Sequence, residues 1–447
     1  LIAWCCGLGF DKSTAREYVP TLVQQGIDSA VALSMTPIED LARWRIRRGH
    51  ARIMLANAHT LCSSRHVALA VSESNFTPSS DEGGRGEEVT IEVSIDEART
   101  RTAQALRNIG WDADDAALQA EVMTAAELCG NNQGLVKMYQ PSLMAPAPFA
   151  AKPIVERETA SSAVINARQS PGMLAAVMCA DLAADKAESS GPISIVTAFN
   201  TSTSSGQLAF YAERIAKRGL VGICLANSPE FVAAAEGGRA VFGTNPLAFG
   251  FPRSGKAPFT FDMATSAIAL FGVLTAKAKG VPLPHGVAFG RDGSWTSDAA
   301  EVLDGGAIAT FGGHKGAGLA LVVELLAGAM SGGAVLGMCE SKKAAKSWGH
   351  TFIAIRPSDL VADFDHKVSA VIHAVKESGH NIRLPGEKSA KRAEACIRAG
   401  KMPIATKIWE SICKVAADAP LPPPLPPPSK SQPIGGRPRS YMIKARR

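Results

Sequence analysis

Apolar and polar positions along this chain alternate between two periods, and the switch from one to the other marks out most of the architecture. Short β-type runs, ISIVTAF at 193–199, LVGICLA at 220–226, FTFDM at 259–263 and TFIAIRP at 351–357, are separated by helical stretches. These are PGMLAAVMCADLAADKA at 171–187, GQLAFYAERIAKRG at 206–219, GAGLALVVELLAGAM at 316–330 and HKVSAVIHAVKESG at 366–379. The alternation predicts an α/β domain. No GxGxxG follows an early strand, so a Rossmann unit is not expected. Two more helices open this domain, one predicted from Ser94 and Glu97 to Gly110 and one from Asp112 and Asp115 to Gly130. Each begins with a capping pair and closes at a glycine suited to a left-handed end.

Ahead of it, residues 4–63 carry apolar positions at helical intervals (WCCGLGF, REYVPTLVQQGID, SMTPIEDLARWRIRRGHARIMLANAHTL). Thr36, Pro37 and Glu39 form a capping box that predicts a helix start at Pro37. The stretch 64–90, with SESNFTPSSDEGGRGEE, is too polar to pack and reads as a flexible linker. The tail 418–447 holds APLPPPLPPPSKSQP, and from 419 onward it carries six cations without an acid; such a tract favours extended polyproline II conformation. Its two readings are a spacer and a ligand for SH3- or WW-type domains.

Composition narrows the class. The 447 residues are 46% apolar, ample for a large core, and the net charge of +6 matches the cationic tail, leaving the rest near neutral. The charge favours anionic small ligands and gives no reason to invoke nucleic acid, apart from Arg43, Arg45, Arg47, Arg48 and Arg52 along one helical segment. The longest helical apolar run, 317–330, contains Glu324 and falls short of the roughly 20 residues a membrane span needs. Nine cysteines without a CxxC pair suggest neither a disulfide framework nor a zinc site. A cytoplasmic location is therefore expected, with organelle targeting left open because the sequence opens on Leu1.

Three short strings carry the chemistry: FDMATS at 261–266, FGGHKGAG at 311–318 and RLPGE at 383–387. In FGGHKGAG, bare glycine N–H groups and Lys315 can converge on an anion at a helix N-terminus, or the glycines can simply admit a packed helix. Together with AERIAKRGLVGICLANS, FGTNPLAFGFP and GVPLPHG, these strings resemble the NAD(P)-dependent malate/L-lactate dehydrogenase family, which includes ureidoglycolate, sulfolactate and diketogulonate enzymes. The likeness covers about residues 91–417. It implies a non-Rossmann α/β fold, NAD or NADP as cofactor, a small 2-oxo or 2-hydroxy acid as substrate and a homodimer. Cofactor contacts carry over to Ser228, to Asp262, Met263 and Ala264, to His314, Lys315 and Gly316, and to Pro385, Gly386 and Glu387. The residues themselves permit a plainer reading, a turn or cap role for each. Asn245 in FGTNPLAFGFP suits either a substrate contact or the support of buried backbone. A capping role for Asp298 and a backbone-bonded His314 are further structural readings. The N-terminal unit, with Tyr18, Leu22, Ile27, the TPIEDL turn and Ile46, is similar to a sterile alpha motif (SAM) domain, which implies protein association through helix ends.

One departure bears directly on chemistry. Between His66 and His285 there is no histidine, yet the resemblance places two proton-transferring histidines in that interval. Their positions fall on Gln133 and Ser204, with Lys137 where the family has an arginine. The catalytic candidates are therefore Gln133, Lys137 and Ser204, with Lys137 as a proton donor if burial lowers its pKa. The leading expectation is an NAD(P)-dependent oxidoreductase. The alternative is a catalytically silent or cofactor-sensing scaffold that uses the SAM-like unit and the proline-rich tail.

Overall fold

The computed structural model describes residues 89–418 apart from 132, 140, 148, 149 and 336–346, together with Tyr18, Leu41 and Ile46. The readings of a SAM-like unit over 4–63, a linker over 64–90 and a proline-rich tail over 418–447 thus lie almost wholly outside the described residues. Tyr18, Leu41 and Ile46 are each buried.

A seven-stranded sheet forms the centre. Its order is β2 (Ile154–Glu158), β3 (Ser162–Asn166), β4 (Ile193–Thr201), β12 (Trp348–Ile355), β5 (Val221–Ala226), β8 (Leu247–Arg253) and β9 (Lys256–Met263). Alternating strands and helices conventionally give a parallel sheet. Within this sheet, among the described residues, β3 and β4 are the one parallel pair, since β12 returns from late in the chain and inserts antiparallel to both β4 and β5.

Burial alternates along the strands and sorts the two faces. Val196, Ala198, Cys224, Ala226 and Phe352 face helices α3 (Gly172–Ser189) and α4 (Leu208–Ala216). On α4, Tyr211 meets Phe352 edge to face at 5.8 Å between ring centroids, an arrangement worth about 0.5–1.5 kcal/mol beyond the area it buries. The opposite face, with Leu225, Leu247 and Met263, packs on Val323 and Ala327. Those two residues belong to one run, α7 (His314–Val323) followed by a π-helical segment over Glu324–Ala329. The apolar stretch at 316–330 is thus not one regular α-helix; Met330 N–H bonds to the carbonyl five residues back, at Leu325.

A smaller unit holds strands β10 (Ala288–Phe289), β11 (Ala307–Ile308), β6 (Val232–Ala233) and β7 (Ala240–Phe242) in one sheet, with α5 (Leu270–Lys279) and α6 (Ala299–Leu303) beside it. Val232, Phe242, Val273, Val302 and Ile308 form its core. Its strands are two or three residues long, too short to leave a periodicity in the sequence.

The third layer joins the two ends of the described chain. Strand β1 (Thr90–Ser94) pairs antiparallel with β13 (Lys401–Ala405), and α1 (Ile95–Asn108), α2 (Ala113–Leu128) and α10 (Thr406–Ala417) pack around them. Asp112 caps α2 as expected, accepting from Asp115 N–H at 2.9 Å. Ser94 makes no side-chain cap to α1 because it is the last residue of β1, and Glu97 pairs instead with Arg101, one turn on, at 2.9 Å. The remaining helices, α8 (Phe364–Glu377) and α9 (Glu387–Ala399), flank the β8–β9 side and the α2 end. None of the described helices is long and apolar enough to cross a membrane.

Candidate active site

Gln133, Lys137 and Ser204 meet at one point. Lys137 Nζ donates to Ser204 Oγ at 2.8 Å and to Gln133 Oε1 at 3.1 Å, and lies 5.4 Å from the centre of the Phe271 ring. Three separate parts of the fold converge here: the 3₁₀ turn Leu135–Tyr139 after α2, the loop after β4, and the start of α5.

Each part is held by identifiable bonds. Gln133 N–H bonds to Asn131 Oδ1 at 3.0 Å, and Leu135 N–H to Glu127 Oε2 at 3.2 Å. Gly134 lies so close to α2 that a Cβ would fall 2.8 Å from Met123 O and from Glu127 N. The Ser204 loop is pinned by Gly172, whose N–H donates to Thr203 O, and by Tyr211, whose hydroxyl donates to Ser205 O at 2.5 Å.

Lys137 is 8% exposed, and no carboxylate pairs with it among the described residues. Its partners are neutral, so burial is uncompensated and lowers its pKa from 10.5 to about 8. A proton on Lys137 is therefore exchangeable near neutral pH, unlike that of an ordinary lysine. Phe271 was not foreseen, because a lone aromatic at a helix start carries no signal of its role.

The segments matching cofactor contacts assemble along β9 and α7. At Gly386, where φ is +76°, a Cβ would lie 3.0 Å from Thr260 O, so the Pro385–Gly386 turn sits against the strand that ends in Asp262 and Met263. Asp262 Oδ2 accepts from Ala209 N–H at 2.8 Å, capping α4, and burial raises its pKa to about 6. Glu387 is held by Lys376 at 2.7 Å and by Leu384 N–H at 3.1 Å. Those bonds to the charged form, Lys376 foremost, bring its pKa down to about 2. Both carboxylates thus make bonds of the cap and turn kind that their plainer readings describe.

At α7, Gly312, Gly313, His314 and Lys315 are exposed, and nothing lies within 4 Å of a Cβ placed on either of these glycines. This helix start is open to an anion and carries a cation beside it. Gly316 faces inward, where a Cβ would come within 2.2 Å of Phe311 O. The His314 side chain is exposed rather than bonded to backbone. Asp298 caps α6, accepting from Ala300 N–H at 2.7 Å.

Ser228 Oγ accepts from Thr244 N–H at 3.0 Å and borders the loop that carries Asn245. Asn245 itself is fully buried. Its amide donates to Ala320 O at 3.0 Å and Glu324 Oε2 at 3.1 Å and accepts from Ser228 N–H at 3.3 Å. Of the two readings of Asn245, these bonds match the support of buried backbone, here that of the Ser228 loop. Glu324 was visible in the sequence only as a lone acid in an apolar run. His350 on β12 also escaped notice; it is 1% exposed, and burial lowers its pKa to about 4.

The fold and these segments define a malate/L-lactate dehydrogenase-type oxidoreductase. The family's sequence profile, malate/L-lactate dehydrogenase, matches residues 93–413, and the chain belongs to that family. A malate dehydrogenase of Pyrococcus horikoshii is 31% identical over 354 residues, covering 75% of this chain and 97% of the relative. A Δ1-pyrroline-2-carboxylate reductase of Pseudomonas fluorescens is 52% identical over a shorter stretch of 120 residues, 27% of this chain and 35% of that protein. Among solved structures, the Δ1-piperideine-2-carboxylate reductase of Pseudomonas syringae superposes with a TM-score of 0.65 at 29% identity, covering 73% of this chain and all of that one.

Proposed function

We propose that this protein transfers a hydride between a nicotinamide cofactor, NAD or NADP, and a small 2-oxo or 2-hydroxy acid, with Lys137 moving the proton that histidines move elsewhere in the family. The observation that carries this reading is the Gln133–Lys137–Ser204 contact, in which burial brings an amine to about 8. A group titrating near the working pH serves as acid in reduction and as base in oxidation.

The open start of α7 with Lys315, the Pro385–Gly386 turn and the 262–264 segment fit a dinucleotide and would hold it. A dinucleotide held by these residues would supply or accept the hydride at C2 of the acid. Gln133 keeps the Lys137 ammonium aimed at Ser204, whose hydroxyl can pass a proton to the oxygen that forms at C2. The Phe271 ring excludes water from one side of the ammonium and tolerates its charge.

A second substrate class rests on the same group. A protonated cyclic imine carboxylate brings its own proton to the reacting bond, so its reduction makes little demand on a site without histidine. Relatives named as pyrroline- and piperideine-carboxylate reductases favour including it.

The test is a screen of the full chain with NADH and NADPH against pyruvate, oxaloacetate, sulfopyruvate and Δ1-pyrroline-2-carboxylate, followed by the absorbance of the reduced cofactor, with cofactor binding titrated in parallel. Turnover of any of them supports the reading. Tight cofactor binding without turnover supports the silent, cofactor-sensing alternative, and absence of both overturns the proposal. A homodimer belongs to the same proposal, and sedimentation of the full chain checks it.

A further inference from the structure

A cleft of about 380 Å³ lies at the far end of the β8–β9 hairpin from Asp262. Asp262 lies six positions beyond Lys256 on β9, roughly 20 Å at the rise of an extended strand. The cleft is thus remote from both the Lys137 group and the 262–264 segment. Its walls are the C-terminal end of α4, the hairpin tip and the loop leading into α8.

Three cations face it, Lys217, Arg253 and Lys256, against one carboxylate, Asp365. Lys217 is shared with Glu213 at 2.8 Å. Neither Arg253 nor Lys256 forms an ion pair among the described residues. Arg253 sits where the β8–β9 register shifts, and its Nε is enclosed without a hydrogen-bond partner. A guanidinium N–H withdrawn from water without an acceptor is costly, and an acceptor that reached it would lower that cost. The first turn of the 14-residue helix α8 opens onto the same space, and its leading N–H groups favour an anion. Asp365, in that same first turn, accepts from the adjacent His366 N–H at 2.9 Å through Oδ1 and keeps its negative charge, so it offsets one of the three cations.

We propose that this cleft is a second anion site, which takes a phosphate group on Arg253 and Lys256 with Lys217 at its rim. Phosphate fits better than a single carboxylate, because two unpaired cations and a helix start match a dianion with several acceptor oxygens. Inorganic phosphate and a phosphate monoester share this chemistry.

The experiment is calorimetric titration of the full chain, in chloride buffer, with inorganic phosphate and separately with ribose 5-phosphate. Arg253→Gln and Lys256→Gln should each weaken binding by about tenfold or more, the scale of one charge-assisted hydrogen bond. Asp365→Asn should tighten it, which keeps the test decisive if either cation variant fails to fold. Titrations with NADH and NADPH should be the same in all variants. Tighter binding of the monoester identifies a phosphorylated metabolite as the ligand, and equal affinities identify the inorganic ion; each supports the site. Three results would overturn it: no phosphate binding at millimolar concentration, affinity unchanged in the variants, or displacement of phosphate by NADPH. None of them bears on the dehydrogenase reading, which rests on Lys137.

Discussion

Lys137 Nζ and Ser204 Oγ, 67 positions apart in the chain, lie 2.8 Å from each other. They stand where the family resemblance expects an arginine and a histidine, and in the function proposed above they make the proton site amine-based rather than histidine-based. Such an exchange changes the pH at which the site can donate, and this can be measured.

Restoring the family pattern by Gln133→His and Ser204→His should move the pH limit of reduction. With Lys137 as donor, turnover should hold until about pH 8 and fall above it. With histidine as donor the fall should begin near its ordinary value of about 6.5. Profiles of kcat against pH for the two proteins check this, and identical profiles would exclude Lys137 as the donor.

Lys137 also leaves a mark on stability. Its folded pKa of about 8 lies below the ordinary 10.5, so between those values the unfolded chain binds more protons and stability rises with pH. The displacement corresponds to about 3 kcal/mol. Wild-type stability should therefore gain on that of Lys137→Met as pH rises from 8 to 10.5, with Lys137→Met the more stable at neutral pH. Denaturant unfolding at several pH values measures the difference, and a constant gap would contradict an uncompensated buried ammonium.

Glu387 predicts the opposite arm. Its folded pKa, about 2, lies below the ordinary 4.5 because Lys376 bonds to the charged form. The stability it provides is present above 4.5 and is lost as pH falls toward 2. Glu387→Gln should flatten that part of the melting-temperature profile and leave it unchanged at neutral pH apart from a constant offset.

Gly316→Ala should be severe for its size. The added Cβ would fall 2.2 Å from Phe311 O, a backbone atom that cannot swing aside. Loss of about 1–3 kcal/mol is expected from the overpacking, with weaker binding of either nicotinamide cofactor because the α7 start is displaced. Gly318→Ala, where a Cβ meets open space, is the control and should be close to wild type in both respects.

Asn245→Ala should destabilise without acting on the substrate. It leaves Ser228 N–H without its acceptor, at about 1–3 kcal/mol. A fall in melting temperature with KM for the acid unchanged is the expected result.

Long strands and helices were legible in the sequence because they repeat one period for many residues. The run 193–199 became a strand over Ile193–Thr201, and 171–187 a helix over Gly172–Ser189. Sheet direction was not legible, since it depends on where β12 returns. The contact between Lys137 and Ser204 could be suspected from the resemblance, but Phe271 could not. Asn245 looked available in its turn motif, and its burial follows from Glu324, 79 positions away. Pairings set by the tertiary fold leave no local periodicity to read.

The late insertion of β12 sets the order in which this protein can be completed during synthesis. Until residues 348–355 emerge, β4 and β5 have no strand between them, and two apolar edges wait through more than a hundred residues of further translation. A nascent chain of this design has a long interval of vulnerability to misassociation. Release before Trp348 would yield not a smaller enzyme but two unjoined half-sheets.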